Sequence, residues 1–153
     1  MLARLHVRDL VLIEELDLDL SAGLNVLTGE TGAGKSLVAT AVGLLLGRKG
    51  SGELVRRGAA QAEVEGLFDL SDEPAVRARL EAAGLPDANE LLVRRVIPAA
   101  GTRGRQRISI NGSIASRAVL ESLAEGLASV MGQHEHLALL DPARQLEMLD
   151  GFG

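Results

Sequence analysis

The chain has 153 residues and no cysteine, which leaves room for one domain with its own core and excludes both a disulfide framework and a thiolate metal site. Hydrophobic residues make up 46% of it, yet only Phe68 and Phe152 are aromatic, so the core must be aliphatic, as in an α/β interior. The formal net charge of −5 argues against a surface that is basic throughout, and the start Met1-Leu2-Ala3-Arg4 has no signal-peptide pattern, so a soluble cytoplasmic chain without a membrane segment is expected.

After a strand-like N-terminus, Leu16, Leu18 and Leu20 alternate with Asp17 and Asp19, the period-2 pattern of a strand with one wet face. Ser21-Ala22-Gly23 is a turn, and Leu24-Asn25-Val26-Leu27-Thr28 is an apolar run suited to a buried strand. Between 35 and about 46, Leu37, Val38, Ala41, Val42, Leu44, Leu45 and Leu46 cover most of a helix surface, with Gly47 as its stop. Residues 61–70 alternate again, and Asp72-Glu73-Pro74 opens a helix reaching about Ala83, ended by Gly84 and Pro86. Residues 91–97 and 105–110 are strand-like and flank a loop of Pro98 and small residues, which predicts a hairpin. Asn111-Gly112 is a tight turn, Ser116 caps a helix carrying Val119, Leu120 and Leu123, and 127–131 suits a returning strand. Asp141-Pro142 starts a last helix. One buried strand feeding a helix through glycines, among strands and helices, predicts an α/β sandwich.

Gly29, Gly34, Lys35 and Ser36 satisfy G-x-x-x-x-G-K-[ST] between the predicted strand and helix. Glycines let successive N–H groups turn toward phosphates, and the helix adds the positive end of its dipole. Lysine is scarce here, only Lys35 and Lys49 among 16 basic residues, so this composition gives the pattern by chance in roughly one chain in 500. The predicted nucleotide contacts are Gly29, Glu30, Thr31, Gly32, Ala33, Gly34, Lys35, Ser36 and Leu37, with ATP and Mg²⁺ as the ligands. Lys35 would reach the β- and γ-phosphates and the Ser36 hydroxyl the metal.

Several residues admit two readings. Gln133, just beyond a predicted strand, is either a polar loop residue or a contact to metal and water. His134 and His136 supply two metal ligands without an evident third, and a polar-network role is expected of them. Arg94, Arg95, Arg103, Arg105 and Arg107 form the only dense basic cluster, on the predicted hairpin, and either contact a DNA backbone or form a solvated face.

The chain resembles, over essentially its whole length, the N-terminal half of the ATPase head of the RecN family, SMC-related proteins of bacterial DNA double-strand-break repair. Besides the run 24–36, the resemblance rests on Leu54-Val55-Arg56-Arg57-Gly58-Ala59, Leu92-Val93-Arg94-Arg95-Val96-Ile97, Ile110-Asn111-Gly112 and, most specifically, Gly132-Gln133-His134-Glu135-His136. It implies a P-loop NTPase of the ABC/SMC head type, with mixed sheet and β-hairpin around the P-loop helix. Residues 1–153 would be the N-terminal head segment, with a glutamine loop near 133 and, at 141–153, the start of a helix leading to a coiled coil. By the same resemblance Gln133 joins Ser36 on Mg²⁺, and Arg56 occupies an arginine-bearing loop that approaches nucleotide or DNA, surface charge being the other reading. No Leu-Ser-Gly-Gly-type signature and no apolar strand ending in Asp-Glu occur. The resemblance therefore implies a fragment that binds ATP with little turnover, completed by a C-terminal head half and a second head, acting on DNA at the nucleoid. A transporter's nucleotide-binding subunit is the alternative within enzymes, although no aromatic residue precedes the cradle to stack adenine. A nucleotide-gated DNA scaffold is the alternative outside them.

Overall fold

Alternation in the first nineteen residues folds them into a hairpin, β1 (Leu2–Leu10) and β2 (Ile13–Asp19), in a computed structural model that describes residues 1–29, 32–125 and 127. Leu5 pairs with Leu18 and Val7 with Leu16 across it, so the apolar positions share one face. Beside β1 runs β3 (Gln61–Asp69), then β4 (Glu90–Pro98), β5 (Arg107–Ile110) and the short β6 (Ser113–Ile114), giving a six-stranded sheet in the order β2-β1-β3-β4-β5-β6. Every described pairing is antiparallel. Asn111 and Gly112, with φ of 48° and 80°, make the two-residue turn between β5 and β6.

Three helices cover one face of the sheet: α1 (Gly32–Leu45), α2 (Pro74–Ala82) and α3 (Arg117–Ala124). Ser116 caps α3 by accepting from the Val119 N–H at 3.2 Å. Leu44 and Leu45 of α1, Val76 and Leu80 of α2 and Leu120 and Leu123 of α3 join Leu5, Val7, Val64, Leu91, Val93 and Ile110 in one core that is aliphatic but for Phe68. Gly66 lets α1 sit close, because a Cβ there would stand 2.4 Å from Leu45 Cδ1. The opposite face is a ladder of charge: Arg4 with Asp19 at 3.1 Å, His6 with Asp17 at 3.0 Å, and Arg94 with Glu65 at 2.9 Å and with Glu63.

The sequence expectation fails at residues 24–28. They pair with no described strand, and Leu24, Val26 and Leu27 are 91%, 70% and 43% exposed rather than buried. A buried strand needs neighbours for its N–H and C=O groups, and β2, the edge of the described sheet, pairs only with β1. Leu127 lies in a turn after α3; the rest of the strand expected at 127–131, and the helix expected after Asp141, fall outside the described residues.

Candidate functional site

Residues 24–28 lead into the glycine loop without forming a described strand, and α1 starts at Gly32, so of the strand–loop–helix context expected for the motif the described residues show the loop and the helix. Lys35 folds back over the loop, its Nζ donating to the Gly29 carbonyl at 2.6 Å. Gly29, Gly34, Lys35 and Ser36 are all exposed. The Ser36 carbonyl accepts from Thr40 Oγ1 at 2.8 Å, one turn further along α1. Glu30 and Thr31 lie outside the described residues, as do Gln133, His134 and His136.

A pocket of about 500 Å³ opens at this point, lined by Leu12, Ile13, Glu14, Glu15 and Leu16 on one side and by Leu27, Thr28, Gly29, Gly34, Lys35 and Val38 on the other. Its size lies within the range of about 300–1,000 Å³ usual for small-molecule sites. The arrangement fits a polyphosphate: a lysine whose described partner is a backbone carbonyl, beside the N-terminal end of a helix whose first N–H groups have no partner within it. Leu37 and Ser36 do not line the pocket, and Leu37 is half-buried on α1.

The wall from Leu12 to Leu16 is a part of the site not anticipated from the sequence. It is the turn and second strand of the first hairpin, and Val11 enters that turn at φ 52°, a conformation that a β-branched residue rarely adopts. Nothing in Val11-Leu12 reads as a turn, since glycine, asparagine, aspartate and proline are all absent from it. Arg56 is tied to this wall. Its backbone N–H donates to the Asp9 carbonyl at 2.8 Å, and its Nη2 donates to Glu14 Oε2 at 3.0 Å. Arg56 thus reaches the pocket through a carboxylate and does not line it.

The basic cluster of the hairpin divides in three. Arg95 is 1% exposed, with Nη1 donating to the carbonyls of Leu44 at 2.8 Å and Arg48 at 2.6 Å and Nη2 to Gln106 Oε1 at 3.2 Å, so its expected role as a DNA contact is corrected. The strand period explains this: Arg95 shares the parity of Leu91, Val93 and Ile97, all buried, and that signal was present in the sequence. Arg94, on the other face, is held by Glu63 and Glu65. Arg103, Arg105 and Arg107 are exposed at and beside the loop, and among the described residues no carboxylate pairs with them.

A glycine loop entering a helix beside an antiparallel sheet defines a P-loop NTPase fold of the SMC-head kind. Solved structures of SMC heads share this fold. An SMC ATPase structure from work on ATP-driven dimerization and DNA-stimulated activation superposes with a TM-score of 0.71 at 19% identity, over 99% of both chains. An Smc head bound to the C-winged helix domain of ScpA gives 0.67 at 21% identity over 86% of this chain and 42% of that one. The family model described as AAA domain matches residues 4–122, and the chain belongs to that family. In sequence it is similar to the DNA repair protein RecN of Halalkalibacterium halodurans and to that of Bacillus subtilis, each 40% identical over 153 residues, 99% of this chain and 26% of theirs. RecN of Vibrio cholerae is 38% identical over 152 residues, 99% of this chain and 27% of that protein. The chain spans about a quarter of the length of these relatives. The resemblance read from the sequence therefore holds over the length of this chain. Among the described residues no helix is long and apolar enough to cross a membrane.

Proposed function

We propose that this chain is the Mg-ATP-binding segment of the head of a RecN-like DNA repair and recombination ATPase that acts at double-strand breaks, in the cytoplasm and at the nucleoid. The observation that carries the reading is Lys35 folded over Gly29 at the mouth of the 500 Å³ pocket where α1 begins. Phosphate oxygens would replace the Gly29 carbonyl as acceptors for Lys35, a charge-assisted exchange that favours the anion. The α1 N-terminus would add its dipole on the same side.

In this reading the Ser36 hydroxyl and Gln133 would hold Mg²⁺, and Gln133 would also place the attacking water. Glu30, Thr31, Gly32, Ala33 and Leu37 contribute through the backbone of the cradle. Arg56 adjusts the pocket wall through Glu14. Mg-ATP supplies the reacting phosphoryl group, while Lys35 stabilises the charge that develops on it. The completing groups, a signature serine and a base-like carboxylate, would come from a C-terminal head half beyond the coiled coil that follows 141–153 and from a second head. Arg103, Arg105 and Arg107 offer to the DNA backbone an exposed basic tip that no carboxylate among the described residues pairs with.

Calorimetric titration with Mg²⁺ tests the nucleotide. ATP should bind more tightly than GTP, and Lys35→Ala should abolish the heat of binding; equal binding of ATP and GTP, or none, overturns the reading. Rapid turnover by the chain alone, lost in Lys35→Ala, would refute the divided head.

A further inference from the structure

The end of α1 opposite the phosphate cradle is built from a buried cation. α1 closes in a Schellman motif, with the Arg48 N–H donating to the Gly43 carbonyl at 2.9 Å and the Gly47 N–H to the Leu44 carbonyl at 3.2 Å. Arg95 enters this motif from β4 and donates to the carbonyls of Leu44 and Arg48 at once. Its outer nitrogen donates to Gln106, whose own amide donates to the Gly50 carbonyl at 2.8 Å. One guanidinium therefore joins the end of α1 to β4, and Gln106 extends the tie to the approach of β5 and to the chain leaving α1.

Stability is a weak explanation for this group. A buried ion loses hydration, and replacing one with an apolar side chain of similar size is often neutral or stabilising. Among the described residues no carboxylate bonds to Arg95, and its buried Nε has no partner. Burial pushes its guanidinium below the ordinary value, the charge of Arg117 adds to that, and Glu121 opposes it. An arginine nevertheless stays protonated, and the compensating charge is the negative end of the α1 dipole.

Direction is what such a contact supplies. The 14 residues of α1 form a rod of about 21 Å, so a tilt of roughly 5° about its C-terminal end moves its N-terminal N–H groups by about 2 Å. Reacting constellations need placement to within about 0.5 Å. We propose that Arg95, steadied by Gln106, is a positioning residue for the nucleotide: it fixes the far end of α1 so that Lys35 and the helix N-terminus keep their aim on the phosphates. This inference rests on the nucleotide reading above.

The test compares nucleotide affinity with stability. Mg-ATP is titrated calorimetrically into the wild-type chain, Arg95→Lys, Gln106→Ala and Leu80→Ala, each confirmed folded by circular dichroism and melted without nucleotide. Arg95→Lys keeps charge and loses the fork, and should weaken Mg-ATP about tenfold, with Gln106→Ala losing about threefold. Leu80→Ala opens a cavity under α2, and should lower the melting temperature the most while leaving the Kd unchanged. A Kd within twofold of wild type in folded Arg95→Lys overturns the inference, as does an equal loss of affinity in Leu80→Ala, because affinity would then follow stability alone. If Arg95→Lys does not fold, Gln106→Ala decides by the same criterion. A wild-type chain that binds no Mg-ATP removes the nucleotide reading itself, whereas binding that is indifferent to Arg95 removes only this inference.

Discussion

Two glycines that close helices in the same way make a controlled experiment on how α1 is held. Gly47 ends α1 at φ 94° and Gly84 ends α2 at φ 70°, each in a Schellman motif. An alanine at either position enters the left-handed region, at a cost of about 1–2 kcal/mol. At Gly84 nothing lies within 4 Å of the added Cβ, so that cost is the whole effect. At Gly47 the Cβ would stand 2.5 Å from Glu121 Cγ and 3.3 Å from Glu121 Cα. Glu121 must then leave its rotamer, at about 0.5–1.5 kcal/mol, and loosen its 3.2 Å bridge to Arg117. Gly47→Ala should therefore lose about 3 kcal/mol against about 1.5 kcal/mol for Gly84→Ala. For a chain of this length these correspond to falls of about 9 °C and about 4–5 °C in Tm. Thermal melts followed by circular dichroism measure both. Adding Glu121→Ala to Gly47→Ala removes the Cγ and should recover most of the difference. Equal losses at the two glycines, or no recovery in the double variant, would refute the steric account of how α3 abuts the end of the P-loop helix.

On the proposed DNA contact, Arg103→Ala, Arg105→Ala and Arg107→Ala should each lower the slope of log K against log salt by about one, and Arg94→Ala, held by Glu63 and Glu65, should leave it unchanged. Fluorescence anisotropy with a short duplex at several salt concentrations reads both. Arg77 donates to both oxygens of Asp87, at 2.8 and 2.7 Å, and these hydrogen bonds hold the Asp87 carboxyl below the usual carboxylate range. The stability from this pair is then complete above the unfolded carboxyl value of about 3.9 and disappears as the pH falls below it through the folded value. Urea midpoints between pH 2 and pH 6 should lose part of their acid dependence in Asp87→Asn.

Most of the sheet was legible because its strands alternate and its turns carry the expected residues. Asn111-Gly112 announces the β5–β6 turn, and Glu73-Pro74 with Gly84 brackets α2. The turn at Val11-Leu12 was not legible, because it is held from outside: the Val11 N–H donates to the Leu54 carbonyl, and the Leu10–Val55 bridge fixes the residue before it. Those contacts are more than forty residues distant in sequence, and they override the local preference of a β-branched residue. Arg94 and Arg95 show the opposite case. Identical neighbours were grouped by charge when the parity of β4 had already separated them, one toward the helices and one toward Glu63 and Glu65.

Residues 24–28 are the most informative disagreement between pattern and structure. An apolar run of this kind is stabilised by cover, and burying what is still exposed of Leu24, Val26 and Leu27, 91%, 70% and 43% of them, would contribute about 3–6 kcal/mol in all. That is a sizeable share of the whole stability of a domain, about 5–15 kcal/mol. The relatives are about four times as long as this chain, and on the proposed reading the cover is the remainder of the head. The run ends at Gly29, whose carbonyl holds Lys35, so anything that pairs with it also fixes one side of the cradle. The other side is fixed through α1, whose far end Arg95 holds. Completion of the head and binding of the nucleotide would then draw on the same few residues, because the segment on one flank of the cradle pairs with no described strand.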